Sequence, residues 1–283
     1  MSEKFLGGQD RVVRVGTTVR RERKPWSDRV AELLRHLENA GFRQAPRYFG
    51  TEGDTDVLEF LPGEVGNYPL TSAARSTTAL ISAAKLLRAY HDATAEIAAT
   101  MPGGWMLPDQ EPAEVICHGD FAPYNCVLRG EEVVGLIDFD TAHPGPRAHD
   151  LGYAVYRFAP LTDPANEDGF GSVEEQAVRV KLFCDSYGVT DRAAILASAA
   201  DRLRDLVQLM RTQAASGHEG FASHLAAGHD QVYLRDIEYL EANAEALSTR
   251  SRKPPPAPRA LPSNPAVPSR SACAPGSPSG PTT

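Results

Sequence analysis

A chain of 283 residues with 42% hydrophobic and 7% aromatic side chains is long enough to bury a sizeable core over one or two domains. No apolar run reaches the roughly 20 residues of a membrane-spanning helix, and Met1-Ser2-Glu3-Lys4 lacks the basic-then-apolar layout of a signal peptide. These features predict a cytoplasmic protein with no membrane partner. A formal charge of -8 argues against a nucleic-acid partner, and Cys117, Cys126, Cys184 and Cys273, with no C-x-x-C pair or zinc spacing, predict free thiols.

In chain order, Arg11 to Val15 and Thr18 to Arg21 are β-branched runs around Gly16-Thr17, a hairpin signal. Ser27 is placed to cap a helix whose apolar residues Val30, Leu33, Leu34 and Leu37 share one face, with Gly41 ending it. Val57 to Leu61 is extended and stops at Pro62-Gly63, and an Ala-rich stretch from Thr71 to about Thr100 predicts one long helix. Residues 115 to 138 return to strands. Val173 to Leu247 is helical throughout, with Leu203, Leu206, Val207 and Met210 as one stripe. From Ser248 onward there are 10 prolines in 36 residues and no acid, a composition that predicts a disordered basic tail. Its five basic residues turn the -8 of the whole chain into -13 for the body. The expected organisation is a sheet-rich front at 1–62, a helical back at 63–247 and the tail at 248–283.

The chemistry concentrates between Ile116 and Asp140. His118-Gly119-Asp120 is followed five residues after the Asp by Asn125, and then by Ile137-Asp138-Phe139-Asp140. In phosphoryl transfer from a nucleotide, a loop Asp orients the attacking hydroxyl and takes its proton, an Asn on that loop holds a metal ion, and a further Asp holds metal at the phosphates. All three occur here in that order. A hairpin around Gly130-Glu131-Glu132 puts Asn125 nearly opposite Asp138, and opposed residues have Cβ atoms roughly 4.5 to 5.5 Å apart, a spacing suited to shared oxygen ligation of Mg²⁺.

These residues resemble the aminoglycoside phosphotransferase family, small-molecule kinases of α+β class with a protein-kinase-like two-lobed fold: a small antiparallel-sheet N-lobe and a larger helical C-lobe. The likeness runs from about Leu6 to Val155 through Leu6-Gly7-Gly8, Leu58-Glu59-Phe60-Leu61-Pro62-Gly63-Glu64, the His118 loop, Ile137 to Asp140 and His149-Asp150-Leu151. The resemblance implies Asp120 as catalytic carboxylate and Asn125 and Asp138 as Mg²⁺ ligands. It further implies Gly7-Gly8 over the phosphates, Glu59 to Leu61 as the hinge that receives adenine, and ATP or GTP as donor to a small-molecule hydroxyl. Two departures stand out: Arg20-Arg21 occupies the place of the strand lysine, with Arg21 as the candidate phosphate ligand, and Val30 the place of the helix glutamate. They keep open an alternative, a catalytically impaired kinase-like protein that binds nucleotide or ligand without transfer.

Around these positions, His118 is expected to organise the loop and Asp150 to cap a helix or, on the resemblance, to brace the loop. His218, His224 and His229 are too irregularly spaced for a metal cluster. Residues 160–247 hold 15 acids and 7 bases, an excess that suits a cationic acceptor such as an aminoglycoside if the acids converge.

Overall fold

The computed structural model describes residues 2–7, 10–166 and 169–249. Strands β1 (Ser2–Gly7), β2 (Asp10–Val15), β3 (Thr18–Glu22), β4 (Tyr48–Glu52) and β5 (Thr55–Glu59) form an antiparallel sheet in the order β1-β2-β3-β5-β4. The expected hairpin is β2–β3, closing at Val15 opposite Thr18. Gly7 ends β1 opposite Asp10, whereas Gly8 and the tail beyond Thr249 lie outside the described residues.

Between β3 and β4 runs α1 (Ser27–Asn39), which buries Val30, Leu33, Leu34 and Leu37. Each contributes about 2 kcal/mol of apolar burial. Val30 therefore belongs to the core, as its helical spacing requires. Ser27 does not cap this helix. Trp26 occupies the N-cap position, and the Ser27 hydroxyl accepts the Lys24 N–H at 2.9 Å instead.

The single long helix expected from Thr71 is two: α2 (Ser72–Arg75) and α3 (Thr77–Thr94). Thr71 and Ser76 are both N-caps, each accepting an amide three residues on. The second cap requires an extended backbone, and Ser76 adopts one with φ -63° and ψ 158°.

A short β6 (Glu64–Val65) joins β8 (Cys126–Arg129) and β9 (Glu132–Leu136) in a three-stranded sheet, and β7 (Val115–Cys117) pairs with β10 (His143–Gly145). Helices α4 (Arg147–Phe158), α5 (Val173–Tyr187), α6 (Arg192–Ala215), α7 (Glu219–Ala226) and α8 (His229–Ser248) complete the fold. In the expected α6 stripe, Leu203, Val207 and Met210 are buried. Gly152 lets α4 approach α6 backbone to backbone: a Cβ there lies 2.7 Å from the Ala199 nitrogen. That contact brings Arg202 of α6 up to the loop after β7. No helix among the described residues is long and apolar enough to cross a membrane.

Candidate active site

The loop from His118 to Asn125 is held from beneath by α4. Asp150 is fully buried, and its carboxylate accepts the backbone N–H groups of His118 at 2.7 Å and Gly119 at 3.0 Å. His91 of α3 adds a third hydrogen bond through Nε2 at 3.0 Å. Burial acts to raise the Asp150 pKa, but these donors win and hold it well below the usual carboxylate range. Asp150 is thus the brace of the loop; the helix N-cap is Pro146. His118 is also structural: its Nε2 donates to the Ile137 carbonyl at 3.0 Å, and burial lowers its pKa, keeping the ring neutral.

Gly119 has φ +80°, and a Cβ there falls 2.3 Å from the Thr141 carbonyl oxygen. Glycine is required on both counts. Its own carbonyl accepts from Arg202 Nη2 at 2.8 Å. The loop amides and carbonyl are in this way fixed by Asp150 and Arg202, and Asp120 projects from a backbone tied on two sides.

Asp120 Oδ1 accepts the Tyr124 hydroxyl at 2.6 Å, and Oδ2 accepts Asn125 Nδ2 at 2.9 Å. Asn125 Nδ2 also reaches the Asp120 carbonyl at 2.9 Å. Burial raises the Asp120 pKa, and the Tyr124 hydrogen bond, His118, Arg157 and Arg202 oppose that rise. A carboxylate with a raised pKa that remains within reach of solvent is a better proton acceptor than an ordinary surface aspartate.

Asn125 and Asp138 come together through the β8–β9 hairpin. Gly130-Glu131 forms a tighter turn than expected, and a bulge between Val127 and Leu128 restores the offset. The Ile137 N–H donates to the Asn125 carbonyl at 2.9 Å, so Asn125 faces Ile137 and lies next to Asp138 rather than opposite it. Asp138 is exposed and has φ +63°, a left-handed conformation that a non-glycine residue adopts at a cost. Two side-chain oxygen donors on adjacent strand ends fit a hard divalent cation, which takes carboxylate and amide oxygens. No group of three or more His, Cys, Asp or Glu side chains with metal-site geometry occurs among the described residues, the three C-terminal histidines included.

Arg20 and Arg21 divide as strand alternation demands. Arg20 turns outward to Glu52 at 2.9 Å, while Arg21 turns inward and pairs with Asp140 at 2.6 Å. Asp56 lies 3.9 Å from Arg21 and 2.8 Å from Arg23. A carboxylate on β5 and one beyond β9 thus face Arg21, where the sequence offers no helix glutamate. At the expected hinge, Glu59 is engaged: its side chain pairs with Arg47 at 3.1 Å, and its N–H donates to the Arg47 carbonyl at 2.9 Å. Leu61 makes no backbone hydrogen bond among the described residues.

Several neighbours of Asp120 escaped the sequence reading. Tyr124 and Tyr153 share a hydroxyl contact of 3.1 Å, and Arg157 lies over the rings of Tyr68 at 4.6 Å, Tyr124 at 5.4 Å and Tyr156 at 5.5 Å. Four of the acids of 160–247 are spent on ion pairs. Asp230 pairs with Arg211, Asp201 and Glu241 with Arg204, and Asp185 with Lys181. Asp236 accepts from Tyr156 at 2.6 Å and Thr162 at 2.5 Å.

Residues 92–180, which span this loop, match the APH model, described as the phosphotransferase enzyme family. A trifolitoxin immunity protein from Rhizobium leguminosarum bv. trifolii is 37% identical over 195 residues, covering 65% of this chain and 72% of the relative. The chain belongs to the aminoglycoside phosphotransferase (APH) family. Solved APH-like folds agree. The Plasmodium vivax ethanolamine kinase has a TM-score of 0.57 at 14% identity, covering 86% of this chain and 82% of that one. The streptomycin–ATP complex of APH(2'')-IIa gives 0.53 at 14%, covering 85% and 93%, and a macrolide 2'-phosphotransferase from Brachybacterium faecium gives 0.54 at 16%, covering 89% and 94%. The fold of this APH member is accordingly the α+β, protein-kinase-like one: a small antiparallel sheet followed by a larger helical region.

Proposed function

We propose that this APH member transfers the γ-phosphate of ATP, or of GTP, to a hydroxyl of a small molecule. The nucleotide lies between a front lobe at 1–62 and a back lobe at 63–247, and the reaction runs in the cytoplasm. The carrying observation is the loop on which Asp120 and Asn125 are hydrogen-bonded to each other while Asp150 pins the amides beneath them. Asp120 Oδ1, relinquishing Tyr124, accepts the acceptor's hydroxyl proton as the oxygen attacks phosphorus. The free backbone of Leu61, with Glu59 before it, receives the adenine, and Gly7-Gly8 covers the phosphates. Arg21, released from Asp140, presents a planar fork to phosphate oxygens.

Asn125 and Asp138 are the residues that would hold Mg²⁺. Asn125 commits its amide nitrogen to Asp120, which leaves its oxygen for a cation. Bound there, the ion would neutralise charge developing on the phosphates. Similarity to a trifolitoxin immunity protein supports testing antimicrobial compounds among the acceptors.

The test is acceptor-stimulated, Mg²⁺-dependent nucleotide consumption by the wild type and by Asp120→Ala, with nucleotide binding measured in parallel. Loss of turnover with retained binding supports the reading. Full turnover in the variant refutes the role of Asp120, and nucleotide binding without transfer to any acceptor leaves the binding-only alternative.

A further inference from the structure

Beside Asp120 the structure holds a guanidinium that feels the charges of Asp120 and Asp236 but is hydrogen-bonded to neither. Arg157, in the last turn of α4, is enclosed by the rings of Tyr68, Tyr124 and Tyr156 at 4.6, 5.4 and 5.5 Å. Its Nε is buried without a hydrogen-bond partner, and among the described residues the guanidinium makes no hydrogen bond and no ion pair. The two nearest candidate carboxylates are already satisfied by neutral donors: Asp120 by Tyr124 and Asn125, Asp236 by Tyr156 and Thr162. Tyr124 connects the two halves of the cluster, since its ring lies under Arg157 and its hydroxyl touches Asp120 at 2.6 Å. Arg202, buried on the other side, has its Nε unpaired as well and stacks at 5.2 Å on Tyr153.

Arg157 is half-buried with its Nε shut off from water, and sheltering part of a guanidinium without a hydrogen-bonded carboxylate is costly. Three aromatic faces offset part of that cost, but they use the faces of the ion and leave its in-plane N–H donors unspent. Those donors form the fork that matches a carboxylate or phosphate bidentately. The same stacking decides against a cationic ligand here, because the aromatic faces that would cradle an ammonium are occupied by Arg157 itself.

We propose that the acceptor of this phosphotransferase carries an oxyanion, a carboxylate or a phosphate, which Arg157 binds while Asp120 holds the acceptor's hydroxyl. This deepens, and rests on, the phosphotransfer reading above. It departs from the cationic acceptor suggested by the acid excess of residues 160–247, four of whose acids, Asp185, Asp201, Asp230 and Glu241, are spent on ion pairs.

The experiment uses the full chain with Mg²⁺ and ATP and a matched set of hydroxyl compounds. Glycerate, glycerol 3-phosphate and glucose 6-phosphate are set against glycerol, ethanolamine and streptomycin. Two readouts are taken: thermal stabilisation by each compound, and phosphorylated product by mass spectrometry. The wild type is compared with Arg157→Gln, which removes the charge but keeps a polar hydrogen-bonding end, and Arg157→Lys, which keeps the charge without the fork; circular dichroism establishes that each is folded.

The expected result is preference for the anionic members, with an acceptor KM raised at least tenfold in Arg157→Gln, partial recovery in Arg157→Lys, and an unchanged nucleotide KM. Comparison of the carboxylate and phosphate members separates the two oxyanion sources. Equal or better use of ethanolamine or streptomycin, unaffected by Arg157→Gln, overturns the oxyanion site and leaves phosphotransfer standing. Arg157-dependent stabilisation by the anions with no product from any compound does the reverse. A raised nucleotide KM with unchanged acceptor KM assigns Arg157 to the donor phosphates and also overturns the proposal, as does the absence of any charge preference in stabilisation.

Discussion

Replacing Asp150 by alanine removes one carboxylate and orphans two loop amides. The His118 N–H, at 2.7 Å, and the Gly119 N–H, at 3.0 Å, lose their acceptor in a site with no access to water, and His91 Nε2 loses its partner as well. An unsatisfied buried donor costs about 1–3 kcal/mol, so the two amides alone predict a loss of about 4 kcal/mol. Against a typical total of about 5–15 kcal/mol, that is a large share. For a domain of this size about 1 kcal/mol moves the midpoint by roughly 2–4 °C, which gives a drop of about 8–16 °C. Asp150→Asn returns one acceptor oxygen but turns an amide donor toward another donor, and its drop should be intermediate.

Thermal unfolding followed by circular dichroism, with urea titration for the free energies, reads both variants. The sign with pH is fixed by the depressed native pKa: the carboxylate's contribution is present above the unfolded aspartate value and is lost as pH falls through the native one. The gap between wild type and Asp150→Ala should therefore narrow in acid below the ordinary aspartate range. A midpoint change of less than about 2 °C in Asp150→Ala would refute the assignment of Asp150 as the brace.

Gly119→Ala places a methyl 2.3 Å from the Thr141 carbonyl at φ +80°; about 2 kcal/mol or more of destabilisation and loss of turnover are expected from urea titration and steady-state assay. His149 is held neutral by burial, with Arg202 and His143 adding to the effect, its pKa pushed down to about 3. The unfolded chain binds that proton more readily, so stability falls by about 1.4 kcal/mol per pH unit below about 6.5, and His149→Gln should flatten the slope measured by urea unfolding at successive pH values. Burial pushes the Cys184 thiol up to about 12 and raises Cys117 and Cys126 as well; peptide mapping after iodoacetamide at pH 8 should find all three modified only in denaturant.

The part of the site carried by one continuous segment was readable in the sequence, because the spacing of His118, Asp120 and Asn125 is a local property and the hairpin to Asp138 is short. The hairpin was approximated for the right offset by the wrong route, since a bulge at Val127/Leu128 supplies the residue that the turn does not. Arg21 was readable as the inward member of its pair through strand alternation, and Val30 as core through helical spacing. Ser27 misled because a serine at a helix start can accept an amide from the preceding turn as well as from its own helix. Arg157, Arg202 and the tyrosines were invisible because 68, 124, 153, 157 and 202 converge only in three dimensions. The acid excess after residue 160 is less informative for a related reason: a sum of charges does not say which of them are spent on neighbours, as Asp185, Asp201, Asp230 and Glu241 are.

Helix α4 carries the brace in its first turn and the unpaired guanidinium in its last. Asp150 and Arg157 are seven residues apart, which at 1.5 Å per residue sets them about 10 Å apart along the axis. The helix is in this sense a ruler: it fixes the His118–Asn125 loop at one mark and the guanidinium at another, and its contact with α6 at Gly152 keeps the scale from sliding. Under the oxyanion site proposed above, a compound that reaches both Asp120 and Arg157 would be limited to a few bonds between its hydroxyl and its charge, and selection by size would follow from the helix.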